Sequence, residues 1–341
     1  MSEEAPKYGN KKSSEGNRLH SFAELSVQFE QHFNKRHFPA QPATLFDASQ
    51  YLLTVGGKRV RPVLCLMGNE LFDTINKDAW HVATAIELFH NFTLIHDDIM
   101  DKAPLRRNMP TVHTKYGEST ALLAGDVMLV TAYESLNRSD GVHVHRVLDI
   151  FNDTAKKVCE GQQLDIDFEK INDVSFEEYE NMIGLKTSVL LAASLQLGAV
   201  LGGAGLGNQQ HLYEFGKNLG LAFQVQDDYL DAFGNAEKFG KKIGGDIVAN
   251  KKTFLLIEAL NTCSAPQKEQ LLDLLQNNHT DTDKIKKVLS IYQSCQVDKW
   301  AEELKRKYMS KAMMHLEDVA VLSSRKGPLE QLAHYLLDRE S

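Results

Sequence analysis

The chain has 341 residues, of which 43% are hydrophobic and 25% charged, and it carries a formal net charge of -8. That balance suits a folded protein with a sizeable core and excludes a nucleic-acid binder, whose phosphate contacts need a broad basic surface. Four scattered cysteines, Cys65, Cys159, Cys263 and Cys295, include no C-x-x-C pair, so they indicate neither a cysteine zinc site nor a disulfide framework, and a reducing, cytoplasmic setting is expected.

Residues 1–17 are rich in Ser, Glu, Lys, Gly and Asn and lack an apolar core. They read as a flexible tail rather than a signal peptide, leaving residues 18–341 as one domain. From there apolar residues recur at spacings of three and four, while alternating runs bounded by hairpin turns are missing, so the fold class is all-α, a large helical bundle. The pattern predicts helices over 19–37, 43–55, 60–74, 78–101, 115–137, 141–168, 175–203, 208–233, 251–262, 266–277, 282–310 and 311–338, the last broken near Gly327-Pro328.

The third helix opens on Gly56-Gly57-Lys58-Arg59-Val60-Arg61-Pro62. Free N–H groups and the helix dipole favour an anion there, and Lys58 and Arg61 add charge. The fourth is apolar nearly all round, through Val82, Ile86, Phe89, Phe92 and Leu94, and should cross the interior to end in Asp97-Asp98-Ile99-Met100-Asp101. Leu105-Arg106-Arg107 follows, an arginine pair able to make forked contacts with phosphate oxygens. The uncharged run from Thr187 to Gln210 approaches membrane-spanning length, but Ser188, Ser194, Gln196, Gly198 and Gly202-Gly203 dilute it, and a buried core helix is the better reading. Lys186-Thr187 heads that run, where a lysine, if buried, needs an anion partner. Glycines 202 to 207 follow a helix, not a strand, and so end that helix rather than bind a dinucleotide. The next helix repeats the earlier design, an apolar body ending in Asp227-Asp228-Tyr229-Leu230-Asp231, and beyond it Lys241 and Lys251 lie in a Gly/Lys-rich connection able to close over a phosphate.

The repeated D-D-x-x-D pattern carries the chemistry. Residues i and i+4 share a helix face, so Asp97 pairs with Asp101 and Asp227 with Asp231, like charges that repel unless a cation joins them. A single such motif is as well explained by a solvated helix end; two, each closing an apolar helix, point to a ligand. An all-carboxylate set without His or Cys matches magnesium, which prefers a few carboxylates plus waters and substrate phosphates.

In the order G-G-K-R-x-R-P, D-D-x-x-D, L-R-R, K-T and F-Q-x-x-D-D-x-x-D, from about Phe38 to Leu260, the chain resembles the trans-polyprenyl diphosphate synthases, the family of farnesyl and geranylgeranyl diphosphate synthases. The resemblance implies a homodimer that condenses isopentenyl diphosphate with allylic diphosphates, with three Mg2+ ions held between the acidic clusters. Asp97, Asp101 and Asp227 match the metal ligands, with Asp98, Asp228 and Asp231 supporting. Arg106, Lys186, Thr187, Gln224, Lys241 and Lys251 would grip the allylic diphosphate, and Lys58, Arg61, His90 and Arg107 match the isopentenyl site. Asn108 departs from the usual Gly after the arginine pair, which affects a loop more than the chemistry.

The expected reaction is ionisation of the allylic diphosphate and attack by the isopentenyl double bond, with no protein nucleophile. Phe92, about 7.5 Å before Asp97 along the helix, is the candidate floor limiting chain length, with Phe89 as rival. A bulky residue there resembles short-chain synthases and favours the twenty-carbon product, geranylgeranyl diphosphate, over farnesyl or longer products. A silent partner subunit has no need of both acidic motifs, and a terpene cyclase has no need of Lys58, Arg61 and Arg107.

Overall fold

The computed structural model describes residues 18–139, 141–171, 173–234, 243–276 and 280–337. In chain order the helices are α1 Phe22–Phe33, α2 Ala43–Thr54, α3 Val60–Glu70, α4 Lys77–Met100, α5 Val112–Tyr116, α6 Glu118–Leu136, α7 Gly141–Phe168, α8 Phe176–Ile183, α9 Val189–Leu201, α10 Leu206–Phe233, α11 Gly245–Val248, α12 Phe254–Thr262, α13 Ala265–Gln276, α14 Asp281–Ser294, α15 Val297–Glu317 and α16 Ser323–Leu337. The fold is all-α, as the apolar spacing requires. Local chemistry sets many starts: Ser21 with Glu24, and Ser175 with Glu178, form capping boxes, and the Asn76 and Thr253 side chains accept the free amides that open α4 and α12.

The core is built around α4, α9 and α10. Every residue of α9 is buried, and its neighbour α3 approaches until backbones touch: a Cβ on Gly198 would lie 2.0 Å from the Cys65 carbonyl oxygen, and one on Gly68 2.5 Å from that of Leu195. Side chains at either position would force the helices apart. On the other side α10 packs along α15, and α4 along α6. Fully buried Phe29, Phe89, Phe151, Phe215 and Phe254 each contribute roughly 1.5–3 kcal/mol by leaving water. Helix Phe176–Leu201 is long and apolar enough to cross a membrane, but 83% of its apolar window is buried inside the fold, in keeping with a core helix.

Several boundaries differ from the periodic reading. The segment 115–137 is two helices, because Gly117 sits at φ 87 between them. No break falls at 310: buried Leu304, Tyr308, Ala312 and Leu316 carry one stripe through it, and the turn comes earlier, where Gln296 adopts φ 55. α16 runs through Pro328, held straight by buried Leu329, Leu332, Ala333 and Leu336. Finally, Leu105–Arg106 and Met109–Pro110 pair as a minute antiparallel hairpin. Its turn residues Arg107 and Asn108 have φ of 51 and 63, the left-handed pair that a two-residue hairpin demands and that asparagine tolerates. The departure from Gly at Asn108 is thus absorbed by the backbone.

Candidate active site

The carboxyl end of α4 presents the first acidic cluster. Asp101 donates its amide to the Asp97 carbonyl at 2.8 Å, so the two side chains stand one turn apart on one face. Burial, with Asp101 and Asp98 adding to it and Lys186 opposing, pushes the Asp97 carboxyl up to about 6. The middle residue behaves differently. Asp98 is only 2% exposed and takes a forked pair of hydrogen bonds, both 2.8 Å, from Arg106 Nε and Nη2. The hairpin therefore works as a bracket, aiming Arg106 back at the helix that precedes it.

Lys186 reaches the same region through an irregularity. Between α8 and α9 residues Gly184–Ser188 make a π-helical turn, one residue wider than the α-helix on either side. α7 lies directly against it, and Gly161 makes that possible, because a Cβ there would sit 2.3 Å from the Lys186 backbone nitrogen. From this turn Lys186 Nζ donates to Asp165 Oδ2 of α7 at 2.5 Å.

At the end of α10 the second cluster divides in the same way. Asp228 is 3% exposed and accepts from Gln224 Nε2 at 2.8 Å, the Phe254 amide at 3.3 Å and the Tyr179 hydroxyl at 3.5 Å. Burial pushes it up to about 8, against the Gln224 hydrogen bond. Asp231 accepts from the Asp246 amide at 3.0 Å and is raised by burial and by the Asp246 charge. Lys251 Nζ lies 3.5 Å from Asp246 Oδ1. Burial works against its charge, but Asp246, Asp101 and Asp165 outweigh it and raise the ammonium above its ordinary value. Lys251 thus feels the charge of Asp101 in the first cluster and acts on Asp231 in the second.

Across from the acids lies a basic wall at the start of α3. Arg59, with φ 50 at the N-cap, is buried and held by Glu30 at 2.9 Å and Glu87 at 2.5 Å, so this arginine of the motif anchors the loop. Arg61 Nη1 donates to His90 Nε2 at 3.2 Å. Burial and the Arg61 and Arg107 charges hold His90 well below its ordinary value, leaving a neutral ring that accepts. Arg107 packs over Gly57, where a Cβ would meet its Nη1 at 2.8 Å.

Lys58, Arg61, His90, Arg107, Thr187, Gln224, Asp227, Asp228, Asp231 and Lys251 line one cavity of about 740 Å³. Asp97, Asp98, Asp101, Arg106 and Lys186 are not in that lining. Neither are Phe89 and Phe92: Phe89 is buried against Phe151, ring centroids 5.2 Å apart, and Phe92 lies between Phe89 and His96 on α4. Lys241 lies outside the described residues. Asp165, Asp246, Glu87 and Arg59 were not singled out from the sequence. Asp165, Asp246 and Arg59 sit in amphipathic or loop settings where a charge ordinarily faces water, while Glu87 is a lone charge in the apolar middle of α4.

Such an arrangement suits a polyanion held between metal-bridged carboxylates and fixed cations. The polyprenyl synthetase family model matches residues 42–292. A short chain isoprenyl diphosphate synthase of Methanothermobacter thermautotrophicus is 39% identical over 300 residues, 88% of this chain and 91% of its own length. A geranylgeranyl diphosphate synthase of Saccharolobus solfataricus is 36% identical over 301 residues, 87% of this chain and 90% of its own. A crystal structure of a geranylgeranyl pyrophosphate synthase superposes with a TM-score of 0.90 at 39% identity, covering 95% of this chain and 100% of that one.

Proposed function

The chain belongs to the polyprenyl synthetase family, and from that membership and the cavity we propose that it condenses isopentenyl diphosphate with allylic diphosphates to make geranylgeranyl diphosphate. The observation that carries this reading is one cavity lined by the second acidic helix end and the basic wall, with Lys251 in that lining feeling the charge of Asp101 from the first acidic end. The product is suggested by the named relatives and by the bulk of Phe92 five residues before Asp97. The catalytic unit in this proposal is residues 18–341.

The donor set fits magnesium. Asp97, raised to about 6 by partial burial beside Asp101, is a carboxylate in need of a cation, and the cluster offers oxygen ligands alone. Asp97, Asp101 and Asp227 would hold the ions, three in our proposal, and bound Mg2+ supplies neutralisation of the departing diphosphate. Asp98 and Asp228 act from behind: Asp98 orients Arg106, and Asp228 ties the start of α12 to α10. Lys186, Thr187, Gln224, Lys251 and Arg106 orient the allylic diphosphate so that its C–O bond breaks with charge flowing toward fixed cations. Lys58, Arg61, Arg107 and neutral His90 hold the isopentenyl diphosphate; its double bond attacks the allylic cation, and the resulting cation loses a proton to the released diphosphate to give the new allylic product. Lys241, in the connection between α10 and α11, would help close the site and exclude water.

The enzyme would work as a homodimer in the cytoplasm. An exposed apolar stripe on α6, Leu122, Leu123, Val130 and Tyr133, supports the first, and four free cysteines the second. The test is a product assay by mass spectrometry with isopentenyl diphosphate and each of the five-, ten- and fifteen-carbon allylic diphosphates, with Mg2+ and with chelator. Magnesium-dependent elongation stopping at twenty carbons is expected. Consumption of the allylic diphosphate alone would mark a cyclase, and consumption of neither a silent subunit.

A further inference from the structure

Far from this cavity, α10 and α15 bring together two histidines and an aspartate that the prenyl chemistry does not use. His211, near the start of α10, directs Nδ1 at Nδ1 of His315 on α15, 3.4 Å away. Asp318, three residues after His315 at the end of the same helix, places a carboxylate oxygen so that all three candidate ligand atoms lie within 4.8 Å of one another. We infer that His211, His315 and Asp318 form a zinc site, with water completing four-coordination.

Three observations carry it. The two Nδ1 atoms face each other at 3.4 Å, the long end of hydrogen-bond distance. That separation also equals the edge of a tetrahedron: two Zn–N bonds of about 2.0–2.1 Å at the tetrahedral angle put the nitrogens about 3.3–3.4 Å apart. The frame around the site is also fixed. Asn208 Oδ1 accepts the Ala320 amide at 2.8 Å, pinning the end of α15 to the start of α10, and the partial negative charge of a helix C-terminus favours a cation there. Asp318 is exposed, so a side-chain rotation brings its oxygen the remaining distance.

Imidazole nitrogens with one carboxylate select a borderline ion such as Zn2+ over Mg2+, which keeps this site chemically separate from the all-carboxylate one. His211 precedes Asp227 by sixteen residues on one continuous helix, about 24 Å, so the ion takes no part in condensation. It clamps α15 to the helix that ends in the second acidic cluster.

The experiment uses the whole chain in excess Mg2+, which occupies the carboxylate sites, and titrates Co2+ as a spectroscopic stand-in for Zn2+. One equivalent is expected to give the intense visible bands of four-coordinate cobalt, to be displaced by Zn2+, and to raise the melting temperature. Altering a neighbour that only orients a ligand weakens metal sites about 10–100-fold, so His211→Gln and His315→Gln should each weaken binding by more than about 100-fold. X-ray absorption at the zinc edge of the unaltered protein gives a readout independent of any variant, with imidazole scattering at about 2.0–2.1 Å. Six-coordinate cobalt bands alone, four-coordinate bands that survive both histidine changes, or a zinc spectrum without imidazole would each overturn the assignment.

Discussion

The pairing of Asp98 with Arg106 makes a sharp test, because the sequence motifs place Arg106 on the diphosphate with Asp98 supporting the metal ligands, whereas the structure turns the two on each other. Arg106→Ala strands a carboxylate that is 2% exposed and had two 2.8 Å hydrogen bonds. Breaking a buried pair from one side costs about 3–5 kcal/mol, and since the Arg106 side chain is itself 26% exposed, the lower end, about 3 kcal/mol, is expected. Asp98→Ala strands only the partly solvated guanidinium and should cost about 1–2 kcal/mol. If the pair is one unit, the double variant is more stable than the sum of the singles by about 2 kcal/mol, whereas independent sites add to within about 0.5 kcal/mol. The measurement is thermal unfolding of the four proteins in chelator, where about 3 kcal/mol corresponds to a loss of roughly 4 °C. Additivity would refute the bracket and return Arg106 to a direct role on phosphate alone.

Asp97→Asn and Asp227→Asn should each reduce turnover by more than about 100-fold with the fold intact, and Asp97→Asn in chelator should be no less stable than the parent, since it removes a carboxyl that burial disfavours; near-normal rates would count against the metal assignment. The same residue gives a pH dependence. Its folded value is raised from 3.8 to about 6, so the folded state holds more protons in that window and stability in chelator falls as pH rises from about 4 to 6, by about 3 kcal/mol. Asp228 extends the decline toward about 8, and Mg2+ should reverse the Asp97 part at neutral pH; a profile that rises across this window would contradict it. Phe92→Ala should lengthen the products, and an unchanged distribution by mass spectrometry would move the limit to Phe89 or elsewhere. Gly161→Ala drives a methyl into the π turn 2.3 Å from the Lys186 nitrogen and should destabilise by about 1–3 kcal/mol while reducing activity through displaced Lys186; full activity would show that the turn yields freely.

The all-α class and the two acidic helix ends were legible in the residues themselves, because apolar spacing of three and four and a repeated D-D-x-x-D are local patterns. So was the anion-favouring start of α3, whereas the core character of α9 was decided by burial, because by length and composition the Phe176–Leu201 helix could also cross a membrane. Local patterns failed where two conformations are nearly equal in local energy. The turn at Gln296 and the continuation of α16 through Pro328 were settled by which apolar face found a partner, while the split at Gly117 came from that glycine's positive-φ backbone. They failed again where a charge could face either water or the cavity. Asp98 and Asp228 are chemically identical to their motif neighbours, yet one residue's rotation, about 100° around a helix, turns them inward onto Arg106 and Gln224. Asp165 and Asp246 carry no motif, and join the site only because Gly161 lets α7 touch the π turn and because α11 folds back over α10. His211 and His315 are 104 residues apart, and nothing in either neighbourhood signals the other. Residue chemistry and its local spacing determined the helices and their ligand-bearing ends; which side chains meet across those helices depended on packing, because contact between distant residues has no local signature.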